Sequence, residues 1–474
     1  MKIIIERWGL IERFEYDLSK SMIVTYGENN IGKSYAMQMM YLLLKNMLYF
    51  AHGNTLYMSA YIRYFTNRES GSKITENMLM DFVMGQEKEL DITSQLIEFH
   101  SKRLSESLMP ALIDSCRNTF GTFEELLKQN PVITLVIDEN HKLLYYLREQ
   151  KIIAEYNRKP VILKKVETDF HKVRNNKTHL DIYVYGNQIN DPLSKVEEVL
   201  DEMNVQLSVD IACEIENVYF LPASRSGIYN GMNSFGPILA ELAKNRTYVK
   251  KTLVIPTLSE PISDYFMALS NIHSDTRGAY EKYASMLESA LLQGKVEYNS
   301  VKRSMVYCPY DEELELDMTD TSSMISEISP ITAFLKYIVK SVPPFRYIKS
   351  AGNKIRNAKS VIFIEEPEAH LHPKNQIALI EILVKLSQEN VTMIISSHSN
   401  YIFNKLNNMI MAKEMEKDSY MPILLKKLNG KSKSQLMECD EFGASDENFA
   451  DTANQLYEER ETIIQQIIDS ENEG

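Results

Sequence analysis

Apolar positions along this chain change their period several times, and each change marks an element. Met22-Ile23-Val24-Thr25-Tyr26 is a β-branched and aromatic run, and Tyr35 to Ala51 is apolar except mainly at Gln38, Lys45 and Asn46. The first reads as a strand and the second as a buried helix. From about residue 61 to 130 the pattern turns helical. Met78 to Met84, Leu96 to Leu108 and Phe123 to Leu127 space apolar residues three and four apart. From 131 to 190 the period drops to two. Val132 to Ile137, Lys142 to Leu147 and Leu180 to Tyr185 read as antiparallel strands, with turns at Asp138-Glu139-Asn140 and Arg174-Asn175-Asn176.

Asn217 to Leu221 is a further strand, residues 236 to 293 return to helix, and Val296 to Leu316 to strands. Thr321 to Val339 reads as a helix with a serine-rich start. Ser360 to Ile364, a helix from Pro373 to about Gln388, and Val391 to Ser396 form a strand–helix–strand unit, expected to be parallel and right-handed. Ala450 to Ile468 is a terminal helix. The pattern implies an α/β fold with no internal repeat. One discontinuous core, residues 1–60 with 131–235 and 296–474, is interrupted by helical insertions at 61–130 and 236–295.

The chain has 474 residues, enough for two or three folding units, with ordinary hydrophobic (44%) and charged (25%) fractions. A net charge of −13 argues against a surface that coats nucleic acid generally, while leaving room for a local basic patch. Cys116, Cys213, Cys308 and Cys439 lie far apart and read as reduced structural thiols. Tyr35 to Ala51 carries Lys45 and reads as core, and no signal peptide opens the chain. A cytoplasmic, membrane-free protein is expected.

Between the first apolar strand and its helix lies Gly27-Glu28-Asn29-Asn30-Ile31-Gly32-Lys33-Ser34, a complete phosphate loop in the context the motif requires. Gly27 and Gly32 let successive N–H groups and the helix N-terminus face phosphate oxygens. Lys33 supplies charge to the outer phosphates, and the Ser34 hydroxyl suits Mg²⁺. Val361-Ile362-Phe363-Ile364-Glu365-Glu366 is an apolar strand ending in two carboxylates. Carboxyl ends of parallel strands line the ligand crevice, so Glu365 is placed to hold Mg²⁺ directly or through water. Glu366 is placed to orient or deprotonate the attacking water. The next strand ends in Ser396-Ser397-His398-Ser399, putting His398 at the same crevice as a switch facing the γ-phosphate.

Together with Ile364-Glu365-Glu366-Pro367-Glu368-Ala369-His370-Leu371-His372-Pro373, these motifs resemble the ABC-class ATPases of the SMC, RecF and OLD type. More narrowly, they resemble the ATPase subunits of bacterial anti-phage systems such as Septu and PARIS. Phe220-Leu221-Pro222-Ala223-Ser224-Arg225-Ser226-Gly227 extends the resemblance to mid-chain. It implies an ABC-type P-loop head, a mixed sheet with an antiparallel β-subdomain, that dimerises around ATP and Mg²⁺ with Glu366 as the catalytic carboxylate.

Two departures stand out. The family's magnesium-side acid is often aspartate, where this chain has Glu365. The signature loop, Leu-Ser-Gly-Gly-Gln in transporters, corresponds here to Thr321-Ser322-Ser323-Met324-Ile325-Ser326-Glu327, without glycine. Ser322 and Ser323 at a helix start can bind the γ-phosphate held by a second subunit. They also read as an ordinary cap, with Ser323 capping and Ser326 or Glu327 in the first turn. Lost glycines imply slow turnover. His370 and His372, near only Glu368, make a poor metal set, and the resemblance places them at the subunit interface. Arg225 stays open between a phosphate contact, a subunit bridge and a structural ion pair.

Seven basic residues without an intervening acid, Lys336, Lys340, Arg346, Lys349, Lys354, Arg356 and Lys359, form a candidate nucleic-acid patch within 335–360. A solvated loop or a docking face for an acidic partner reads equally well. Residues 401–474 lack acids spaced for metal-dependent cleavage, and no sustained heptads mark a coiled-coil repair head. The expected function is therefore an ATP-hydrolysing switch in an anti-phage complex. It forms a homodimer or larger homo-oligomer and controls a separate effector, a nuclease. The alternative is a RecF- or SMC-like repair or recombination ATPase acting directly on DNA.

Overall fold

β1 (Lys2–Trp8) and β2 (Ile11–Asp17) show why a period of two makes strands. Ile3, Ile5, Trp8, Phe14 and Tyr16 turn into the core, while Lys2, Arg7 and Glu12 stay in water. The two pair antiparallel, and β3 (Met22–Tyr26) follows with every residue buried. The computed structural model describes residues 1–56, 72–138, 141–156, 160–166, 174–175, 178–185, 215–229, 231, 258–273, 275–302, 304–342, 346–348, 354–356, 358–446 and 448–472.

The phosphate-loop helix, Lys33–Leu56, leads to helix Ser72–Met84, the short β4 (Glu89–Asp91), and helices Thr93–Thr119 and Phe123–Leu127. The expected helical segment thus contains one strand. β5 (Val132–Asp138), β6 (His141–Tyr146) and β7 (Lys151–Tyr156) form an antiparallel meander against β1. β8 (Val161–Val166), β9 (Arg174–Asn175) and β10 (Leu180–Tyr185) leave it and join β4 in a separate four-stranded sheet. Here two expectations fail. β10 runs parallel to β8, and Arg174 and Asn175 pair with β10 instead of forming a turn. The physical reason is a second apolar cluster. Ile182, Val184, Val161 and Leu163 pack with Leu79, Phe82 and Val83 of the helix Ser72–Met84, which draws these strands away from the main sheet.

β11 (Ile215–Leu221) precedes helices Glu260–Ser270 and Glu281–Leu287, the latter extended by a π-helical turn at Glu288–Leu292. β12 (Gly294–Asn299), β13 (Ser304–Pro309) and β14 (Leu316–Asp317) form a small antiparallel sheet. Helix Ser323–Ala333, continued by a π turn at Phe334–Ile338, is followed by a hairpin of β15 (Arg346–Ile348) and β16 (Lys354–Arg356). Then come β17 (Lys359–Glu365), helix Pro373–Ser387, β18 (Val391–Ser396) and helix Asn400–Met411. β19 (Tyr420–Leu428), β20 (Lys431–Leu436), the short β21 (Cys439–Asp440) and β22 (Gly443–Ala444), and helix Ala450–Asn472 complete the chain. The expected helical stretches at 61–71 and 236–257, the turn residues Glu139, Asn140 and Asn176, Cys213 and Lys349 lie outside the described residues.

Eleven strands make the main sheet in the order β11-β17-β18-β3-β19-β20-β2-β1-β5-β6-β7. From β11 to β19 every neighbour is parallel, and from β2 to β7 every neighbour is antiparallel. Two large apolar clusters cover the two faces. Met22, Val24 and Tyr26 of β3 join one, and Ile23 joins the other. Burial on both faces is what uniformly apolar parallel strands require. The fold is α/β with a mixed sheet and an antiparallel wing, as expected. Among the described residues no helix is long and apolar enough to cross a membrane.

Lys336 corrects the basic-patch expectation. It lies on the π turn, 9% exposed, and its ammonium donates to Glu288 (3.0 Å) and to the Val296 carbonyl (3.0 Å). It is core structure, unable to serve an external phosphate. Lys340 is exposed, and the hairpin register sets Arg346 opposite Arg356. Removing Glu288 would leave the buried Lys336 ammonium with only the half-exposed Glu297, 3.5 Å away, as a charged partner. Glu288→Ala is expected to destabilise the protein by about 3–5 kcal/mol in urea unfolding; a loss under about 1 kcal/mol would show the pair to be solvent-screened.

Candidate functional site

The phosphate loop needs its glycines for steric reasons. Gly27 has φ +136°, and a Cβ there would lie 2.5 Å from the Leu425 carbonyl oxygen and 2.6 Å from Ile31 Cδ1. Gly32 has φ +99°, and a Cβ there would lie 3.2 Å from Ile11. Glu28, Asn29 and Asn30 are exposed at the loop tip, and Ile31 is buried beneath it. Lys33 folds back across the loop. Its ammonium donates to the carbonyls of Gly27 (3.0 Å) and Glu28 (2.6 Å). Burial pulls its pKa down to about 8, against the opposing charges of Glu366, Glu368 and Glu28. A phosphate would give that ammonium a fully charged partner in place of two carbonyls.

Register brings the other parts together. Glu365 of β17 is opposite Ser396 of β18, and Ser396 is opposite Thr25 of β3, two residues before the loop. Glu365 is 4% exposed; burial raises its pKa, while Ser34 and the Ala223 N–H draw it down. The Ala223 N–H donates to Oε2 at 3.3 Å. Oε1 is buried without a hydrogen-bond partner. An orphaned carboxylate oxygen next to the Ser34 hydroxyl is a hard-oxygen donor set, so these two residues fit a magnesium ion. The extra methylene of glutamate does not keep it from the site.

Glu366 leaves the strand with φ +42°, a left-handed conformation uncommon for a non-glycine residue. Its N–H donates to the Ser396 carbonyl (3.1 Å). Its half-exposed carboxylate lies 3.5 Å from His398 Nε2. The His398 hydrogen bond, ahead of the fields of His398 and Lys33, holds the Glu366 pKa below the usual glutamate value despite partial burial. The group is a ready anion at neutral pH.

Glu368 is the residue that sequence reasoning missed. Partly buried, it accepts through Oε1 from the His398 N–H (2.6 Å) and the Ser397 hydroxyl (2.9 Å), and burial raises its pKa. It therefore fixes the backbone that carries His398. The available signal was a glutamate two residues past Glu366 across a proline, weighed only as a metal ligand. His372 caps the helix Pro373–Ser387, its Nδ1 accepting from the Lys374 N–H (3.3 Å), and His370 turns at φ +61°.

Two further expectations are corrected. The cap of helix Ser323–Ala333 is Ser322, whose hydroxyl accepts from the Ile325 N–H (3.4 Å); Ser323 is the first helical residue. Both serines are exposed. Arg225 meets no surface at which a phosphate or a second chain arrives: it is fully buried, and its donors are spent on carbonyls and on Glu327. The structural ion pair is the reading that holds. Glu327, considered only as a first-turn residue, is its partner. A lone carboxylate immediately before the acid-free run Ile328 to Phe334 was the sequence signal.

A family model described as AAA ATPase domain matches residues 1–403, and the chain belongs to that family. It is an ATP-hydrolysing enzyme. No curated protein matches it. Among solved structures it is similar to an SMC head bound to the C-terminal winged-helix domain of ScpA, with 10% identity, a TM-score of 0.36, and coverage of 93% of this chain and 98% of that one. An SMC head domain from Thermotoga maritima shares 9% identity over 92% and 98% of the chains, TM-score 0.34. An SMC head with an extended coiled coil, bound to the C-terminal domain of ScpA and derived from Pyrococcus furiosus, shares 9% over 97% and 98%, TM-score 0.34.

Because phosphate restores the charged form of a lysine whose free-state pKa is about 8, ATP binding takes up a proton above that pH. ATP affinity, titrated from about pH 7 to about pH 9.5, is expected to weaken as pH rises past 8, by roughly tenfold per unit at its steepest. Lys33→Ala removes both the affinity and its slope. A wild-type affinity flat across this range would show that Lys33 carries no depressed pKa for ATP to restore.

Proposed function

We propose that this chain is the ATP-binding and hydrolysing switch subunit of a multi-subunit anti-phage defence complex. Two copies close head to head around ATP and thereby hold or release a separate effector, a nuclease. The reading rests on one observation. Lys33, Ser34, Glu365, Glu366 and His398 gather at the ends of adjacent parallel strands, while Ser322 and Ser323 stand exposed at the N-terminus of another helix. Such an arrangement supports a site completed by a second copy, whose serines and helix dipole would meet the γ-phosphate.

Within one subunit the roles divide by chemistry. Gly27 to Gly32 wrap the phosphates with backbone N–H groups. Ser34 and Glu365 would hold Mg²⁺, which would supply charge neutralisation to the phosphates. Glu366, anionic and half-exposed, accepts a proton from the attacking water. His398, anchored through Glu368, senses the γ-phosphate. A signature segment without glycine keeps the opposing backbone farther from that phosphate, which favours slow turnover and a long-lived closed state.

Direct action on DNA is the second reading. The run of basic residues without an intervening acid, Lys340, Arg346, Lys349, Lys354, Arg356 and Lys359, is what supports it.

Glu366→Gln keeps the side chain's shape and removes the base. With Mg²⁺ and ATP it is expected to bind nucleotide, turn over at least about 100-fold more slowly, and double its mass by light scattering. A variant that hydrolyses ATP like wild type, or stays monomeric with ATP bound, contradicts the switch. Co-expression with the product of the adjacent gene separates the two functions. A complex stable without DNA supports the effector reading, and DNA-stimulated turnover of the single subunit supports the alternative.

A further inference from the structure

Two non-glycine residues beside the strand-end carboxylates hold left-handed backbones, Ser224 at φ +54° and Glu366 at φ +42°. Such conformations persist only where their surroundings enforce them, and they concentrate at functional sites. One side chain enforces both. Arg225 Nη1 donates to the carbonyls of Pro222 (3.0 Å) and Glu365 (2.8 Å), Nη2 to that of Glu366 (3.3 Å), and Nε to that of Glu327 (3.2 Å). A guanidinium is a rigid planar fork, and here its three nitrogens together reach the backbone of three segments, the end of β11, the end of β17 and the helix Ser323–Ala333.

Glu327 answers from the helix Ser323–Ala333. Its carboxylate accepts from the N–H groups of Arg225 (3.1 Å) and Ser226 (3.2 Å) and from the Ser226 hydroxyl (2.6 Å), and lies 3.4 Å from Arg225 Nη2. Glu327 is one helical turn from Ser322 and Ser323. Neither partner touches the phosphate loop, so the pair is not part of the nucleotide's own cradle. It joins the Glu366 turn to the helix whose exposed start faces outward.

We infer that Arg225 and Glu327 are positioning residues that lock the Glu366 turn to the helix Ser323–Ala333, so that the water-activating carboxylate and the outward serines move as one body. The inference rests on the reading of Glu366 as that carboxylate. In a closed pair of heads, a phosphate met by Ser322 and Ser323 belongs to the other subunit's ATP. The clamp would then report occupancy of one nucleotide site to the catalytic group of the other. Transmission runs through an ion pair whose side chains are 0% and 2% exposed, where a displacement of one partner cannot be absorbed by water.

The test uses the full chain with Arg225→Lys, Glu327→Gln and Glu366→Gln, read by melting temperature, by the Kd for a fluorescent ATP analogue, and by steady-state kcat. Lysine keeps the charge but cannot reach four carbonyls, and glutamine is nearly isosteric with glutamate. Both clamp variants are expected to bind nucleotide within about twofold of wild type while kcat falls roughly 10- to 100-fold, the scale of a misplaced catalytic group. If Arg225→Lys does not fold, Glu327→Gln decides. A folded Glu327→Gln with wild-type kcat overturns the clamp, as does a kcat loss matched by an equal loss of nucleotide-binding protein. Wild-type turnover in Glu366→Gln overturns the catalytic reading beneath it. An inactive Glu366→Gln beside a fully active Glu327→Gln overturns the clamp alone.

Discussion

The parallel register of β17, β18 and β3 is the constraint on which the site depends. Glu365, Ser396 and Thr25 occupy one row across three strands that are hydrogen-bonded neighbours. Everything chemical follows within a few residues of that row: Glu366 and Glu368 after the first, Ser397 and His398 after the second, the phosphate loop after the third. A one-residue slip in any strand would turn its side chains to the other face and separate these groups. The register is held because each of the three strands is apolar on both faces, with Ile23, Ile394 and Phe363 in one cluster and Val24, Ile395 and Ile364 in the other. Folding the core and assembling the site are one event.

Placing acids at the end of such a sheet is costly unless each acid has its own solution, and the three glutamates have three. Glu368 is partly buried and its Oε1 accepts from a backbone N–H and a hydroxyl while its Oε2 has no hydrogen-bond partner, so it serves as an anchor through one oxygen. Glu365 is buried with one oxygen unpaired, a donor suited to a cation. Glu366 reaches solvent and is kept ionised by His398. Environment gives the three glutamates of one sequence motif three different settings. Arg225 ties the backbone beneath two of them to a helix more than 30 residues away in sequence.

Local features were legible from the sequence, and long-range ones were not. The strand–loop–helix at Met22 to Ala51 and the β17–helix–β18 unit could be read because each motif lies within a continuous stretch whose period is unambiguous. β10 misled because period-two alternation reports a half-buried strand but not its neighbour; the cluster around Leu79 and Phe82 chose β8 instead. Arg225 with Glu327, and Lys336 with Glu288, were hidden for another reason. Each pair spans a long stretch of chain, and a charged residue looks the same in sequence whether it faces water or a buried partner. Lys336 consequently passed for part of a basic patch, and Ser322 and Ser323 were one position out in their capping roles.

The central claim is that each ATP site is shared between two copies of the chain. Subunit mixing tests it most directly. One population carries Lys33→Ala, the other Ser322→Ala with Ser323→Ala, and each alone is inactive if both halves are needed. In a mixed dimer, the intact loop of one chain faces the intact serines of the other, giving one working site of two. Random pairing should then restore about a quarter of wild-type ATPase activity. A mixture no more active than the sum of its components would place both halves in the same chain, and the shared site would be wrong.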